Sequence, residues 1–298
     1  MQLQPGYNPI WFYAAASLIS VIIFTTSEYK VFADEKHASA GLTAHDMLTL
    51  DIAGQINPEG LRMKTGFFRR WVQEMNDNGE PSRHLQTGLG FAASPAYTTL
   101  SLHGEWKPAV FINMRIEYNL IQYLGAYTGL LSFPDKNSKF GDEELDRLEG
   151  REEPGTGQKI CFRPTLYAKA GPVTIMNRTD LSYFRFNGSG PYFMEIEYDT
   201  LLRDDDYVFD NSISFLVSVL KGKGSAAMYL GPYYSFTRAH HSGITRQRTG
   251  AQMFWIVADT RWGMIRPRFY SQATFCIEDR NREGELSFAA GFSADFDL

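Results

Sequence analysis

Hydrophobic and polar residues alternate along most of this chain, and the alternation is strictest at its end. Every second position from Leu286 to Leu298 is apolar, whereas the positions between them hold Ser, Ala, Gly or Asp. A period of two is that of a β-strand, whose successive side chains point to opposite faces. The pattern therefore predicts a strand with one apolar face and one small or acidic face.

The same alternation recurs upstream, and its clearest internal example is Val110–Tyr123. Apolar side chains occupy one face of this segment, and the other face carries Asn113, Arg115, Glu117 and Asn119. Charged and amide groups on one face are costly in a packed sandwich core, but they can hydrogen-bond to one another and to water in a polar lumen. The pattern favours strands that enclose a lumen.

The number of strands depends on one ambiguous stretch, Asn187–Asp206. About 13 segments alternate clearly enough to be strands, whereas bacterial single-chain barrels have even counts. If Asn187–Asp206 is an excursion outside the membrane, the count is about 12; if it spans, another strand is hidden and the count is 14. The expected fold is an all-β, transmembrane, antiparallel up-and-down β-barrel of about 12 strands.

Composition fits a barrel and argues against two other classes. The mean hydropathy of -0.28 is too low for a helical membrane protein, whose spans each need about 20 consecutive apolar residues. A net charge of -5 argues against a nucleic-acid binder. An aromatic content of 14% suits interfacial girdles, although a soluble β-sandwich remains the alternative on composition alone.

The end of the chain resembles the closing strand of bacterial outer-membrane β-barrels, in which aromatic residues occupy alternate positions up to the last. Phe288, Phe292 and Phe296 match that pattern, while Leu298 and Ser293 stand where the family often has Phe and Gly. The resemblance implies a bacterial outer-membrane location. It also implies contact with outer-membrane lipids and lipopolysaccharide, and recognition of this strand by the barrel-assembly machinery.

The only long apolar run, Ile10–Thr26, has the length of a signal-peptide core. Small residues at Val31 and Ala33 predict cleavage after residue 33, with an uncleaved anchor as the alternative. Residues 34–45 then read as a periplasmic lead-in to a barrel over 46–298. Residues 125–157 are rich in Asp, Glu, Gly and Lys and are expected to form a long extracellular loop with a short helix at Asp142–Leu148.

A set of charged residues falls on the predicted inward faces of the strands. In an open barrel these side chains would tune the selectivity of a pore, and in a closed barrel they would form a salt-bridge lattice. The lumen-lining candidates are Asp51, Arg62, Lys64, Arg115, Glu117, Arg178, Asp180, Arg248, Arg266, Arg268 and Glu278.

Two short motifs offer other chemistry. His240 and Ser242 resemble the His-x-Ser arrangement of outer-membrane phospholipases and lipid A deacylases, in which His activates the Ser nucleophile. Gly243 departs from the phospholipase pattern, which continues with Asn. The carboxylates of Asp204–Asp206 could attract Ca²⁺, but they lack EF-hand spacing and read more simply as a solvated loop.

The sequence predicts no cofactor, no metal and no disulfide, because Cys161 and Cys276 lie in distant segments and form no CxxC motif. The leading functional hypothesis is a passive porin-like channel for small polar solutes. The alternatives are an outer-membrane lipid hydrolase that uses His240 and Ser242, and a closed structural or adhesive barrel.

Overall fold

The computed structural model describes residues 43–56, 60–75, 81–127, 129–221, 227–257 and 263–298. The predicted signal peptide lies outside these residues. The described part contains fifteen strands and one short helix, and none of its helices is long and apolar enough to cross a bilayer. The elements are β1 (Thr43–Ile56), β2 (Gly60–Met75), β3 (Pro81–Ala93), β4 (Tyr97–Ala109), β5 (Ile112–Leu124), β6 (Ser132–Phe133), α1 (Asp142–Arg147), β7 (Pro154–Ala170), β8 (Val173–Asn187), β9 (Tyr192–Glu195), β10 (Thr200–Arg203), β11 (Asp206–Lys221), β12 (Ala227–Ala239), β13 (Thr245–Ile256), β14 (Met264–Glu278) and β15 (Leu286–Asp297).

Twelve of these strands form one closed antiparallel barrel. Its order is β1-β15-β14-β13-β12-β11-β8-β7-β5-β4-β3-β2, and β1 pairs with β15 to close it. The short strands β6, β9 and β10 form a separate three-stranded sheet. The predicted 12-strand barrel is therefore confirmed, and the alternative count of 14 is wrong because Asn187–Asp206 does not span.

The two faces of the barrel wall differ as the period-two pattern predicts. On β5, Ile116 and Leu120 are exposed on the outside, whereas Glu117 and Asn119 are buried on the inside. Outward-facing aliphatic and aromatic side chains are exposed on every side of the barrel, and Leu48, Phe67, Leu89, Leu102, Phe162, Phe215, Leu230 and Phe269 are examples. The hydrophobic residues thus cover the outside of the fold, and the polar residues fill its interior.

The connections at the two ends of the barrel differ in length. The longest connections in the described chain are residues 125–153, which we call the outer loop, and residues 188–205, which we call the plug segment. Both lie at the same end, which we call the loop end. Strand β7 begins at Pro154, so the outer loop is slightly shorter than the predicted 125–157, and its predicted helix is present as α1.

Gly231 on β12 allows an unusually close approach between neighbouring strands. A Cβ atom there would overlap the carbonyl oxygen of Phe215 on β11, and backbone atoms cannot move aside without breaking the strand pairing. We expect Gly231→Ala to destabilise the barrel by about 1–3 kcal/mol, as overpacking typically does. The measurement is the temperature at which the folded band on an SDS gel disappears.

A matched control for this substitution exists on β4. A Cβ at Gly104 would meet only Ile116 Cγ2, at 3.7 Å, an ordinary van der Waals distance. Gly104→Ala should therefore leave the melting temperature of the folded band nearly unchanged. Equal melting temperatures for the two variants would contradict the close-approach argument.

Candidate functional site

The plug segment folds into the loop-end mouth of the barrel and packs there against the wall. Phe193 and Leu202 of the plug segment and Leu130 of the outer loop are fully buried, and all three belong to the same apolar cluster. The wall residues of that cluster come from β5, β8, β11 and β12, and they are Ile121, Tyr123, Phe184, Phe186, Val208 and Ala239. Apolar packing of this extent holds the plug segment inside the mouth.

A second apolar cluster joins the plug segment to the loops above it. Met194 and Leu201 pack with residues of the outer loop and with Ile244 of the β12–β13 connection. The outer-loop members of this cluster are Leu131, Phe133, Phe140 and Leu145. The outer loop is therefore a packed layer over the plug segment, rather than only a solvated acidic surface.

An ion pair anchors residues 195–197, which we call the lower edge of the plug segment, to the wall. Glu197 Oε2 lies 2.5 Å from Nζ of Lys159 on β7, whose side chain is nearly fully buried. Burial alone would raise the pKa of Glu197, but the Lys159 ammonium outweighs burial and the net shift is downward. Burial and the charge of Glu197 together raise the pKa of Glu195 to about 7.

Asp199, the next acidic residue of the plug segment, lies among three arginines. Its Oδ2 is 3.0 Å from Arg246 Nη1, 3.2 Å from Arg282 Nε and 3.7 Å from Arg248 Nη2. Arg246 also donates to the backbone carbonyl of Tyr198 at 2.9 Å and to the Asp279 carboxylate at 2.7 Å. Asp199 adopts a φ of 48°, a left-handed conformation that Asp tolerates better than most residues.

A polar cavity of about 170 Å³ lies against the lower edge of the plug segment. Cationic side chains from three barrel strands line it: Arg62, Lys64, Lys159, Arg163 and Arg178. Its carboxylates are Glu117 from β5, and Glu195 and Glu197 from the plug segment. The cavity can bind a small polar solute through charge and hydrogen bonds, because Tyr97, Ser101 and Asn119 also face it.

Around the cavity, most wall charges are paired, either with a residue two positions along the same strand or with a residue of another strand. Asp180 lies 2.6 Å from Arg163 and 2.7 Å from Arg178, and Glu117 lies 2.7 Å from Arg115 and 3.5 Å from Lys64. The structure places nine of the predicted lumen-lining residues on the inward face: Asp51, Arg62, Lys64, Arg115, Glu117, Arg178, Asp180, Arg248 and Arg268.

The other two predicted lumen residues, Glu278 and Arg266, lie where the strands are irregular. A register shift between Gln247 and Arg248 pairs Glu278 with Gln247, and the Glu278 carboxylate accepts a hydrogen bond from that amide on the outer face. The prediction that Glu278 lines the lumen is therefore wrong. Arg266 has a φ of 48° and lies in the irregular stretch between Ile265 and Arg268, so strict alternation does not fix its face.

The two residues of the His-x-Ser motif do not form a catalytic pair in this structure. Ser242 is buried, and its hydroxyl accepts a hydrogen bond from the Ile244 amide at 3.4 Å. The ring of His240 instead lies against the rings of Tyr207 and His241. The segment is a turn rather than a strand, so the expected same-side placement of the two side chains is lost.

The acidic residues that follow Arg203 hold the end of the plug segment in place. Asp206 is fully buried and accepts backbone hydrogen bonds from Arg203, Tyr207 and His241. Asp204 accepts one from the Phe186 amide. These carboxylates are occupied in holding a turn, and within the described ranges no group of three or more His, Cys, Asp or Glu residues is arranged to hold a metal ion.

Cys161 and Cys276 are both buried and unpaired, as the sequence predicts. The sequence reasoning missed the most connected residues of the site, which are Lys159, Glu197, Asp199, Arg246 and Arg282. Glu195, Glu197 and Asp199 were visible as alternating acidic positions, but nothing in their spacing shows that they turn back into the barrel. Their partners lie as far as 83 residues away along the chain.

The apolar outer surface of the barrel wall indicates the cellular location of the protein. Water would strongly disfavour a continuous apolar surface around a closed barrel, whereas the hydrocarbon layer of a membrane favours it. The polar interior and the long loops gathered at one end complete the pattern of bacterial outer-membrane proteins. The chain is an outer-membrane β-barrel protein.

No protein-family model and no curated protein matches this barrel. Among solved structures, it is similar to the β domain of the Bordetella autotransporter BrkA, at 11% identity, with a TM-score of 0.44 and coverage of 84% of this chain and 98% of that one. It is also similar to an outer-membrane channel from Pseudomonas putida F1, at 9% identity, with a TM-score of 0.41 and coverage of 89% and 98%. The KdgM porin matches at 7% identity and a TM-score of 0.40, over 83% and 98%. Likenesses this low assign no function.

Proposed function

We propose that this barrel is a passive channel for small polar solutes, and that the plug segment holds it closed in the conformation described. The observation that supports the proposal is the charge-lined cavity beneath a segment that is docked in the mouth. A lumen that served only to hold the barrel together could be filled with apolar side chains, which avoid the desolvation of buried charges. The loop end faces the outside of the cell under this proposal, because long loops are extracellular in such barrels.

The plug segment can leave the mouth without breaking the wall. It connects the ends of β8 and β11, and these two strands pair directly with each other from Phe184 and Asp206 onwards. Replacing residues 189–204 with a short Gly-Ser linker would therefore keep all twelve barrel strands. Because β8 and β11 pair directly, movement of the plug segment out of the mouth would open the lumen while the ring of twelve paired strands stays intact.

Planar-bilayer recordings of the full chain and of this truncated variant test the proposal. We expect the full chain to stay mostly closed, and the truncated variant to raise the open probability by about a hundredfold, as expected when a docking free energy of about 3 kcal/mol is removed. Replacing the exposed residues 149–151 of the outer loop with Gly-Ser is the matched control and should change nothing.

Heat-modifiable mobility on SDS gels first shows that each variant forms a folded barrel. A folded truncated variant that does not conduct would contradict the channel and favour a closed structural barrel. Steady conduction by the full chain would contradict the closed plug. If the truncated chain fails to fold, Leu202→Asp offers the same test with every residue of the loop present, because it places a charge in the fully buried apolar cluster.

A further inference from the structure

The plug segment places its carboxylates where the wall places its cations. We propose that Glu197 and Asp199 occupy the positions of carboxylate groups of a solute, and that the open channel selects small, hydroxyl-bearing organic carboxylates. This inference rests on the proposed channel function. It identifies the substrate class from the contacts that the plug segment makes when it closes the mouth.

The first of these contacts is made by Lys159, a wall cation for which the described part of the wall supplies no ion-pair partner. Among the described residues, the ion pair of Lys159 is with Glu197 of the plug segment, at 2.5 Å. The Lys159 ammonium also lies over the rings of Phe184 and Tyr198, at 5.3 and 5.1 Å. A buried ammonium that loses its carboxylate strongly favours another anion in the same position.

The second contact is the arginine cluster around Asp199. Arg246 keeps the Asp279 carboxylate when the plug segment leaves, and Arg282 keeps Asp142 and Glu285. In the described structure the ion pair of Arg248 is with Asp199, at 3.7 Å. Departure of the plug segment therefore exposes a guanidinium at the mouth, and guanidinium groups bind carboxylates through paired hydrogen bonds.

The charge of the cavity changes sharply between the two states. With the plug segment docked, five cations and three carboxylates line the cavity. Two of those carboxylates, Glu195 and Glu197, belong to the plug segment, so five cations and Glu117 remain after it leaves. Asp180 pairs with Arg163 and Arg178, and Asp51 pairs with Arg62, so these two carboxylates reduce the net charge from +4 to +2. A low-dielectric wall with this charge concentrates anions.

The uncharged lining refines the class of anion. Tyr97, Thr99, Ser101 and Asn119 face the same cavity and offer hydroxyl and amide groups. A halide can only accept hydrogen bonds from these groups, whereas a hydroxylated carboxylate both accepts hydrogen bonds from them and donates hydrogen bonds to them. With the plug segment docked, the cavity measures about 170 Å³, so in that state it has room for no more than a small molecule.

The test begins with the truncated variant that lacks residues 189–204, so that conduction is established before selectivity is measured. We expect its reversal potential in a KCl gradient to show chloride permeating about threefold or more over potassium, as a positively charged lumen requires. A conducting variant that is nonselective or prefers potassium would overturn this inference and leave the channel intact. Absence of conduction would instead count against the channel itself.

Cys161 provides an independent readout because it is buried on the inward face of β7, two residues from Lys159. In the truncated variant, a negatively charged methanethiosulfonate should modify Cys161 about tenfold faster than a positively charged one of similar size. Lys159→Gln and Arg248→Gln should each reduce this ratio and the chloride preference. Arg185→Gln, which removes a charge from the exposed outer face of β8, is the matched control. Equal modification rates for the two reagents would overturn the inference.

The full chain tests the solute class directly. Sodium gluconate should increase the open probability about tenfold or more, because it competes with Glu197 and Asp199 for the same cations. Sodium chloride at equal ionic strength, and sorbitol at equal concentration, should do much less. Equal effects of gluconate and chloride would reduce the role of the anion to ionic screening and would overturn the proposed class.

Discussion

Replacing Asp199 with asparagine is expected to release the plug segment from the mouth of the barrel. The carboxylate is nearly fully buried and lies within 3.0–3.7 Å of Arg246, Arg282 and Arg248. Removing one partner of a buried ion pair leaves uncompensated charge and typically costs about 3–5 kcal/mol. Arg246 and Arg282 retain other carboxylates, so we expect the lower end, about 3 kcal/mol, and a rise of about a hundredfold in the undocked population.

Asparagine is the informative substitution because it tolerates the left-handed backbone conformation of this position, where φ is 48°. The measurements are hydrogen-exchange protection of the amides in residues 193–202 and the rate at which a methanethiosulfonate modifies Cys161. Protection of these amides should fall and the modification rate of Cys161 should rise, while the folded band on SDS gels persists. Asp146→Asn on the exposed face of α1 is the control, with the same chemical change. Unchanged protection would mean that the apolar clusters hold the plug segment without Asp199.

The barrel itself could be predicted because its signal is local. Each strand alternates between lipid and lumen, so a run such as Val110–Tyr123 carries its own assignment, and the structure places Ile116 outside and Glu117 inside as expected. The count of 12 follows from the even-number rule once Asn187–Asp206 is placed outside the membrane. The alternation of inward and outward residues fails at Glu278, because a register shift beside Gln247 moves its side chain to the outer face. A bulge of one residue reverses every assignment beyond it, and its position is not written in the alternation.

The site was harder to predict because its contacts are long-range. Tyr192–Asp199 alternates like a strand, yet β9 ends at Glu195, and a turn follows that brings Glu197 to Lys159 and Asp199 to Arg246. Nothing within those eight positions indicates inward folding. The indication lies in the wall, where Lys159 and Arg248 face the lumen without a neighbouring acidic residue on an adjacent strand at the same level. An unmatched inward cation is therefore a sequence signal for an acidic loop or ligand, provided that the strand register is known.

The plug segment is also expected to be released more readily at alkaline pH than at acidic pH. Burial and the charge of Glu197 raise the pKa of Glu195 to about 7 in the docked segment, from 4.5 for an ordinary glutamate. The docked state therefore binds more protons than the released state between pH 4.5 and 7. Raising the pH through this window weakens docking, and the full effect is present above about pH 7.

The groups around Glu195 support this direction and its window. Glu197 faces it from the plug segment, Lys159 from β7, Tyr97 from β4 and Tyr123 from β5. The pKa of Glu197 is lowered, so its own contribution to docking is lost only as the pH falls below the ordinary glutamate range, outside the window of Glu195. The two carboxylates therefore act in separate ranges of pH.

We expect the open probability of the full chain in planar bilayers to rise about tenfold or more between pH 5 and pH 8. Glu195→Gln imitates the protonated side chain, so this variant should stay closed at pH 8 and lose most of the dependence. Glu143→Gln on the exposed surface of α1 is the control and should behave as the unmodified chain does. If Glu195→Gln kept the full pH dependence, the titrating group would lie elsewhere, and the buried Glu195–Glu197 pair would be an anchor of the plug segment rather than its pH-sensitive element.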